Sequence, residues 1–323
     1  MPYARAFWVV RPKVSELRTQ LLTPPEPGQV LVQALYSGIS RGTESIVFGG
    51  RVPESEYARM RCPHQEGDFP GPVKYGYASV GRVLEGPDEL AGRLVFCLYP
   101  HQSAYVVAAE DVIPLPEGVA AERAVLAANL ETAINALWDA RPLLGDRITI
   151  VGAGVVGALC AYLARRLPGA EVELVDVRPE RAALASALGV RFALPSAAAS
   201  ERDLVFHASG TAAGLRTALP LAAADSSVID LSWYGDSEVG LPLGRDFHAR
   251  RLTLRSSQVG SISPAARPRW THRRRLELAL GLCRDAALDC LIDGESRFEA
   301  LPETLETLAT PASGALCHRI RYE

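Results

Sequence analysis

The segments that separate the apolar runs are of two kinds, turns in the first part of the chain and helical stretches in the second. The change from one kind to the other divides the chain into two parts. Up to about residue 118 the runs are β-like and broken by Gly, Pro and other turn residues, at 30–36, 78–84, 94–98 and 104–108. From about Ala120, Ala- and Leu-rich helical stretches alternate with apolar strands at 148–151, 172–175, 204–207 and 228–231. This alternation predicts a parallel sheet covered by helices, preceded by a mostly β domain.

The pattern changes again after Leu254. An Arg-rich segment leads into a predicted helix over 270–287, and a last strand is expected at 316–322. Because such a tail is too short to form its own core, we expect it to pack against the first domain. The predicted fold class is therefore α/β, with residues 1–129 and 258–323 in one domain and 130–257 in the other.

A glycine turn lies between the first two predicted strands of the second domain. The first glycine allows a tight turn, the second lets the backbone approach a pyrophosphate, and the third lets the following helix pack against the strand. An acid stands at the end of the next strand, at the distance that a dinucleotide fingerprint requires. The predicted contacts are Gly152, Gly154, Val155, Val156, Gly157 and Asp176.

The acid also bears on the choice of cofactor. Asp176 should hold the ribose hydroxyls and repel a 2′-phosphate, which favours NAD over NADP. Arg178 and Arg181 follow closely enough to accept a phosphate, so they are further candidate cofactor contacts and leave NADP open.

Composition excludes several classes of protein. The 323 residues are 48% hydrophobic with a formal net charge of -3, which suits two domains and suggests neither nucleic acid nor an anionic membrane as a partner. No apolar run could span a bilayer and the N-terminus lacks a signal-type core, so we expect a cytoplasmic protein. The six cysteines form no C-x-x-C pair, which favours reduced, buried thiols over disulfides.

Several motifs together resemble the medium-chain dehydrogenase/reductase superfamily, the relatives of zinc alcohol dehydrogenases. They are residues 27–32 leading to Ser-Gly-Ile-Ser at 37–40, the Tyr-Gly-Tyr-Ala segment at 75–83 before 92–95, and Asn-Leu-Glu-Thr-Ala at 129–133. Their order and spacing cover nearly the whole chain. The phrase Ser-Gly-Ile-Ser-x-Gly-Thr-Glu is also similar to the branch that contains bacteriochlorophyllide hydroxyethyl dehydrogenases.

The resemblance implies an architecture and an activity. It implies a GroES-like β-barrel catalytic domain completed by the C-terminal tail, a Rossmann domain with a doubly wound parallel sheet, and a nicotinamide site at their junction. It further implies hydride transfer between the nicotinamide and an alcohol or carbonyl compound, and a homodimer.

The positions that hold catalytic zinc in relatives depart from the family pattern. By the resemblance they correspond to Ser40, Tyr77 and about Ala128, which offer no thiolate, imidazole or carboxylate, so no zinc is expected. The lobe that binds structural zinc should fall between Gly92 and His101, where Cys97 is the one cysteine. An alternative site would use the ligand types at Cys62, His64, Glu66 and Asp68, although an ordinary surface loop suits that segment equally well.

Three side chains are the catalytic candidates without a metal. Tyr77 stands at the metal-ligand position and could donate a proton, or it could be a barrel-core ring. Glu44 could orient that donor, or form a structural pair with Arg41. His101 could titrate near neutral pH, or lie in a loop away from the site.

The resemblance suggests further contacts with cofactor and substrate. Arg41 is a candidate anchor for a pyrophosphate or carboxylate, while Thr132, Ser209 and Gln258 correspond to residues near the nicotinamide. The candidate substrate pocket comprises Ser40, Trp233 and Tyr234, where an aromatic substrate could stack or where the rings could simply pack. His207 is better explained as ending a strand than as moving a proton.

One dense basic segment remains, from Arg267 to Arg275. It is either a solvated helix face, a surface that attracts an anionic substrate, or a contact for an acidic partner.

The leading hypothesis is a zinc-independent, NAD(H)-dependent oxidoreductase acting on an alcohol/carbonyl pair. The alternatives are an enoyl or quinone reductase and a non-catalytic protein that binds a nicotinamide nucleotide.

Overall fold

A computed structural model describes residues 3–310 and 312–322, and the chain divides into two compact units. Unit 1 comprises Met1–Ala128 and Leu280–Glu323, and unit 2 comprises Asn129–Ala279. The first boundary lies within one residue of the predicted one, whereas the second lies at Ala279 and not at residue 257. Residues 258–279 belong to unit 2 because the backbone N–H of Ser263 and the guanidinium of Arg275 both donate to Asn135 Oδ1, at 3.0 and 2.7 Å.

All of the strands predicted from the sequence form, with differences only at their ends. The strands are numbered in chain order. They are β1 Tyr3–Arg11, β2 Val14–Leu21, β3 Gln29–Ile39, β4 Glu66–Gly67, β5 Val73–Lys74, β6 Ser79–Glu85, β7 Leu94–Cys97, β8 Ala104–Ala108, β9 Val112–Pro114, β10 Arg147–Val151, β11 Glu171–Val175, β12 Arg191–Ala193, β13 Arg202–His207, β14 Ala222–Asp230, β15 Thr253–Ser256, β16 Ile292–Arg297 and β17 Cys317–Arg321.

The helices lie mainly in the second half of the chain. They are α1 Arg41–Phe48, α2 Ala121–Ala124, α3 Ala127–Ala140, α4 Val155–Ala164, α5 Arg181–Leu188, α6 Ala212–Leu221, α7 Asp246–Ala249, α8 His272–Leu282 and α9 Leu301–Leu308. Short 3-10 turns cover Glu54–Glu56, Ala109–Asp111, Pro195–Ala197, Ala286–Leu291 and Phe298–Ala300. None of the helices in the described part of the chain is long and apolar enough to cross a membrane.

Unit 1 is built from two sheets. One has the strand order β2-β1-β5-β4, and the other has the order β16-β17-β3-β6-β7-β9, with β8 also paired to β3. The inward side chains of β3, Val30 and Val32, pack with Val83, Val95 and Tyr105 in a buried core. The last strand, β17, pairs antiparallel with β3, so the C-terminal tail completes the sheet as the resemblance implies.

Unit 2 contains a wholly parallel sheet in the order β12-β11-β10-β13-β14-β15. Counted from β10, this is the Rossmann order 3-2-1-4-5-6, as predicted. Its strands are apolar on both faces because helices cover them; Ile148, Ile150, Leu174 and Val205 are fully buried. The strand order reverses between β10 and β13, so the carboxyl ends of these two strands define the edge at which such sheets bind ligands.

Candidate functional site

The first group of candidate residues surrounds the start of α1 in unit 1. Ser40 precedes the helix, and its backbone N–H donates to Glu44 Oε1 at 2.7 Å. The Glu44 side chain thereby satisfies a backbone group that the helix itself cannot bond, and it is only 4% exposed. Arg41 Nη1 donates to the carbonyl oxygen of Ser313 at 3.3 Å, so Arg41 is held against the C-terminal tail.

A hydrogen-bonded chain continues from Glu44 through His101. His101 Nε2 lies 2.9 Å from Glu44 Oε2, and His101 Nδ1 lies 2.7 Å from Ser37 Oγ. Ser37 Oγ lies in turn 2.9 Å from the Tyr322 hydroxyl. His101 is only 1% exposed, and both of its ring nitrogens lie at hydrogen-bond distance from a partner. A carboxylate at Glu44 accepts the His101 Nε2–H, and the Ser37 hydroxyl lies at hydrogen-bond distance from the other ring nitrogen.

Gly76 makes room for the His101 ring. Its φ is +131°, and a Cβ built there would lie 2.9 Å from His101 Cδ2. Any side chain at this position would therefore push the ring away from Glu44. The glycine explains how the Tyr-Gly-Tyr segment can pass so close to His101.

Tyr77 belongs to the same cluster. Its hydroxyl is hydrogen-bonded to the side chains of Ser40 and Thr43, and its ring meets Tyr75 edge-on, with 6.0 Å between centroids. Burial raises the pKa of Tyr77 well above its usual value, and the nearby Glu44 charge raises it further. The phenol therefore stays protonated at neutral pH. Tyr77, Glu44 and His101, predicted from three separate segments, lie together.

The second group of candidate residues surrounds the glycine turn of unit 2. Gly152 has φ +108°, and a Cβ there would lie 2.5 Å from the Ser209 nitrogen; a Cβ on Gly157 would lie 1.9 Å from the Gly152 carbonyl oxygen. A Cβ on Gly154 would meet nothing within 4 Å. The turn thus packs tightly on its inner side and leaves space at Gly154, which fits a bound pyrophosphate. Helix α4 begins at Val155 and Val156.

Asp176 and the two arginines after it stand beside this turn. Asp176 Oδ2 accepts the backbone N–H of Ala153 at 2.7 Å, and Oδ1 accepts that of Arg178 at 2.9 Å. Each carboxylate oxygen retains a second lone pair, so Asp176 can still accept ribose hydroxyls. Arg181 begins α5.

The remaining candidate cofactor contacts lie on other elements of unit 2. Ser209 follows β13, and its backbone packs against Gly152. Thr132 lies on α3, one turn before Asn135, whose Nδ2 donates to the Gln258 carbonyl oxygen at 3.4 Å. Asn135 thus connects α3, the helix that carries Thr132, with Gln258.

Tyr234, one of the two rings of the predicted substrate pocket, has polar contacts within unit 2. Tyr234 donates its hydroxyl to Asp230 Oδ2 at 2.8 Å and stacks on His207. Trp233 is half-buried on the loop after β14. Of the two rings, Tyr234 is therefore committed to a polar network that the sequence did not predict.

The alternative metal loop is not assembled. Glu66 is paired with Lys74 and Asp68 with Arg61, while His64 Nε2 lies 3.6 Å from Asp111. Burial raises the pKa of the Cys62 thiol to about 12, which disfavours the thiolate that a metal needs. Among residues 3–310 and 312–322, three or more His, Cys, Asp or Glu side chains do not gather anywhere in a group that could hold a metal ion.

The basic segment from Arg267 to Arg275 is partly internal. Arg275 is 1% exposed and donates to Glu131 Oε1 at 2.8 Å and to the Val259 carbonyl oxygen at 2.6 Å. Arg274 lies over the Trp270 ring. The interpretation of one continuous charged surface is therefore wrong for Arg275, which is part of the unit 2 core.

Sequence reasoning missed several polar partners. Ser37 and Thr43 contact predicted catalytic residues, Tyr322 contacts Ser37, and Asp230 contacts His207. Ser37 and Thr43 lie within the Ser-Gly-Ile-Ser-x-Gly-Thr-Glu motif, so the motif could have indicated them as site residues. Nothing in the sequence indicated Tyr322, because its contact depends on the pairing of β17 with β3.

Comparisons with known proteins agree with this geometry. No family model matches the chain. D-guloside 3-dehydrogenase of Escherichia coli (strain K12) is 24% identical over 308 residues, which are 85% of this chain and 87% of that protein. A 2-desacetyl-2-hydroxyethyl bacteriochlorophyllide A dehydrogenase of Cereibacter sphaeroides is 28% identical over 193 residues, 53% of this chain and 55% of that protein.

A solved structure shows the same fold. A putative zinc-binding dehydrogenase from Sinorhizobium meliloti, bound to NADP, matches with a TM-score of 0.78 at 18% identity, covering 99% of this chain and 100% of that one. The resemblance to the medium-chain dehydrogenase/reductase superfamily is confirmed. Since the relatives are dehydrogenases, the prediction of an enzyme, an oxidoreductase of the medium-chain type, is confirmed as well.

Proposed function

We propose that this medium-chain dehydrogenase/reductase is a zinc-independent, NAD(H)-dependent oxidoreductase that interconverts an alcohol and a carbonyl compound. The observation that carries the proposal is the Tyr77–Glu44–His101 cluster, in which Tyr77 corresponds by the resemblance to a metal ligand of the superfamily. A protonated phenol, held in place by Ser40 and Thr43, can donate a hydrogen bond to a substrate oxygen in place of a cation.

The nucleotide site in unit 2 supports the cofactor. The open space at Gly154, the tight inner packing of Gly152 and Gly157, and the free lone pairs of Asp176 suit a dinucleotide. Asp176 favours NAD over NADP by repelling a 2′-phosphate. When bound, the nicotinamide gives or takes the hydride. The chain's own residues bind it, orient it and manage the proton.

Tyr77 supplies the proton in the direction of carbonyl reduction. Because burial and the Glu44 charge hold its pKa high, Tyr77 is a hydrogen-bond donor and acid, not a base. Its O–H polarises the carbonyl and passes a proton to the oxygen as the hydride arrives at carbon. The hydroxyls of Ser40 and Thr43 then return a proton from solvent to the phenol. Glu44 and His101 act as positioning residues that fix Ser40 and the start of α1.

The donor set at the implied metal positions does not fit zinc. Ser40 and Tyr77 present neutral hydroxyls that are already hydrogen-bonded, and Ala128 presents a methyl group. Glu44 and His101 are of ligand type, but they bond each other and form a pair, short of the three protein ligands of catalytic zinc. No step of the proposed reaction therefore passes through a metal.

The relatives indicate a substrate class. Two relatives are named for cyclic substrates, a D-guloside oxidised at position 3 and a hydroxyethyl bacteriochlorophyllide. We propose a secondary alcohol on a cyclic molecule, or the corresponding ketone, as the substrate. We also propose a cytoplasmic homodimer; the six free cysteines suit a reducing compartment, and β15 is an edge strand that could extend the sheet.

Substitution of Tyr77 tests the proposal. With NADH and a panel of cyclic ketones and enones, the wild type should form secondary alcohols, and Tyr77→Phe should lower kcat about 10²- to 10⁴-fold while leaving the affinity for NADH unchanged. Tyr75→Phe, which removes a neighbouring phenol hydroxyl, is the matched control and should retain activity. Saturated products from the enones would favour an enoyl or quinone reductase.

Metal analysis of the same preparation tests zinc independence. We expect sub-stoichiometric zinc and an activity that survives chelation. Stoichiometric zinc whose removal abolishes turnover would contradict the proposal. A wild type that binds NADH but never oxidises it with any panel compound would instead favour a non-catalytic binding protein.

A further inference from the structure

Three arginines in the described part of the chain are buried, and one of them lacks a counter-ion. Arg275 pairs with Glu131, and Arg123 pairs with Asp289. Arg202, at the start of β13, is 4% exposed and has no carboxylate within ion-pair distance among the described residues. Since a buried charge without a partner is costly, a negative group from outside the chain would be favoured beside Arg202.

The Arg202 guanidinium also keeps hydrogen-bond donors that are not used. Its Nη2 donates to the carbonyl oxygens of Ile148 and Glu171 at 3.2 and 2.8 Å. Its Nε is buried without an acceptor, and its Nη1 donates to none of the described residues. Burial lowers the pKa of Arg202, although the charges of Glu173 and Glu171 raise it from beyond ion-pair distance. Two neutral carbonyl groups therefore hold a guanidinium that is still charged at pH 7.

Arg202 lines a surface pocket of about 410 Å³ at the amino edge of the unit 2 sheet. The first residues of β11, β12 and β13 form one side of the pocket, and Arg165, which follows α4, lines the other. Arg165 is exposed, and among the described residues it has no carboxylate partner either. A Cβ on Gly189, which ends α5, would lie 2.7 Å from Arg165 Nη1, so this guanidinium lies against the turn that borders the pocket.

The acidic side chains of this edge lie on the other face of the sheet. Successive side chains of a strand alternate between its two faces, so Arg202 shares its face with Leu204. Leu204, Ile148 and Val172 lie side by side in the parallel ladder, so this face of the sheet carries Arg202 together with Val172. The acids at the intervening positions point to the opposite face; they are Glu171, Glu173 and Asp203. The pocket therefore has two guanidiniums and no opposing carboxylate side chain.

We propose that this pocket is a binding site for a phosphate group, held between Arg165 and Arg202. The two guanidiniums supply two positive charges and unused N–H donors, which match the charge of about -1.5 to -2 and the acceptor oxygens of a phosphate monoester at pH 7. The pocket lies at the edge of the sheet opposite the glycine turn. It is therefore distinct from the proposed nucleotide site, and the inference does not depend on the proposed function.

Calorimetric titration with inorganic phosphate, at an ionic strength kept constant with sodium chloride, tests the site. Arg165→Gln should weaken phosphate binding at least about 10-fold, the value of a hydrogen bond between charged groups. The matched control is Arg166→Gln, which removes the neighbouring exposed arginine; its guanidinium lies over the Tyr162 ring and donates to the Tyr162 carbonyl oxygen at 2.7 Å. This control should bind phosphate as the wild type does.

Two other roles for the contacts of Arg165 give different results. If Arg165 only neutralises the carboxyl end of α5, its loss should lower stability without phosphate and leave phosphate affinity unchanged. Phosphate bound at the glycine turn should also be unaffected by Arg165→Gln. Equal phosphate affinities of Arg165→Gln and Arg166→Gln would therefore overturn the inference.

Arg202→Met tests the buried charge. Phosphate should raise the Tm of the wild type, because it binds the folded state, but it should not raise the Tm of Arg202→Met. A rise equal to that of the wild type would overturn the inference. Should Arg202→Met fail to fold, the comparison of Arg165→Gln with Arg166→Gln decides alone.

Phenyl phosphate distinguishes a phosphate ion from the phosphate group of a larger molecule, because Val172 and Val190 also line the pocket. Tighter binding of phenyl phosphate than of inorganic phosphate supports an organic phosphate as the ligand, and equal binding supports the ion. A wild type that binds NADH but neither phosphate compound refutes this inference alone. A wild type that binds phosphate in an Arg165-dependent manner but does not bind NADH refutes the proposed function alone.

Discussion

At the scale of single residues, the position of the His101 ring depends on the missing side chain of Gly76. We predict that Gly76→Ala destabilises the protein by about 2–4 kcal/mol, because φ near +131° suits glycine alone and the methyl group would contact the ring. Denaturant unfolding measures the change. Activity should fall as well, since the displaced ring releases Glu44.

A variant at a second glycine distinguishes the cost of the backbone conformation from the cost of the contact with the ring. Gly92 has φ +74°, but a Cβ there would meet nothing within 4 Å, so Gly92→Ala should show the backbone cost alone, about 1 kcal/mol, with full activity. If the two variants lose equal stability, the contact between Gly76 and His101 does not constrain the site.

The candidate catalytic residues could be predicted singly but not as a network. Tyr77 and Glu44 stand at positions that the family resemblance singles out, and both lie in the cluster that the structure shows. The rest of the hydrogen-bonded chain comes from segments far apart in sequence: Ser37 of β3 contacts His101, and Tyr322 of the tail contacts Ser37. Which polar groups meet is decided by long-range strand pairing, and local pattern carries no information about it.

At the scale of elements, helix α8 is fixed to α3 by a buried charge. We predict that Arg275→Met destabilises the protein by about 3–5 kcal/mol, because it leaves the Glu131 carboxylate buried without its partner. The pKa of Glu131 is already raised by burial, against the effect of Arg275. Arg273→Met, which removes an exposed arginine two residues away, should cost no more than about 0.5 kcal/mol in the same unfolding measurement.

The double variant Arg275→Met/Glu131→Gln provides the decisive comparison. Removing both charges should restore part of the lost stability, since no buried ion then lacks a partner. If the double variant loses more unfolding free energy than the two single variants lose together, packing and not charge governs this contact.

An ion pair between Arg147 and Asp203 joins the starts of β10 and β13, and it is more exposed than the pair of Arg275 and Glu131. The Arg147 guanidinium beside Asp203 holds the pKa of that carboxyl at about 2. A carboxyl whose pKa is lower in the folded state stabilises the fold above its unfolded pKa, near 3.8, and this contribution is lost as the pH falls toward 2. Because the pair is partly exposed, we expect Asp203→Asn to cost at most about 1 kcal/mol at pH 7.

The pH dependence of that variant is the measurement. Unfolding free energies of wild type and Asp203→Asn should differ at pH 7 and converge toward pH 2. Asp88→Asn, which changes an exposed aspartate in a turn of unit 1, should show no such convergence. A difference for Asp203→Asn that stays constant from pH 7 to pH 2 would exclude the ion pair as its cause.

Element prediction succeeded where pattern and burial coincide. The strands of unit 2 are short apolar runs between helices, and each was predicted to within a few residues, apart from β12, β15 and the first residues of β14. The hairpin of β1 and β2 was missed because β2 has a mostly polar sequence and no buried position in Val14–Leu21, so it lacks the apolar run that marks the other strands. The helix expected over 270–287 ends at Leu282, since a 3-10 turn follows at Ala286–Leu291.

At the scale of the whole molecule, the second domain boundary required the structure. The sequence changes character after Leu254, and that change suggested where the tail leaves unit 2. The chain instead stays with unit 2 until Ala279, held by Arg275 and by the Ser263 backbone. A buried arginine cannot be recognised from composition, because it looks like any other member of a basic run.

Nucleotide binding should be visible in the stability of the whole protein. A ligand that binds only the folded state at 100 times its Kd adds about 2.7 kcal/mol, so NADH should raise the Tm of the wild type by several degrees. Gly154→Ala should keep the Tm of the free protein, because its backbone conformation is ordinary and a Cβ there meets nothing within 4 Å. The same methyl group would fill the space left for the pyrophosphate, so the shift with NADH should disappear. Gly244→Ala, at another open position, should behave as the wild type. An undiminished shift in Gly154→Ala would place the nucleotide elsewhere.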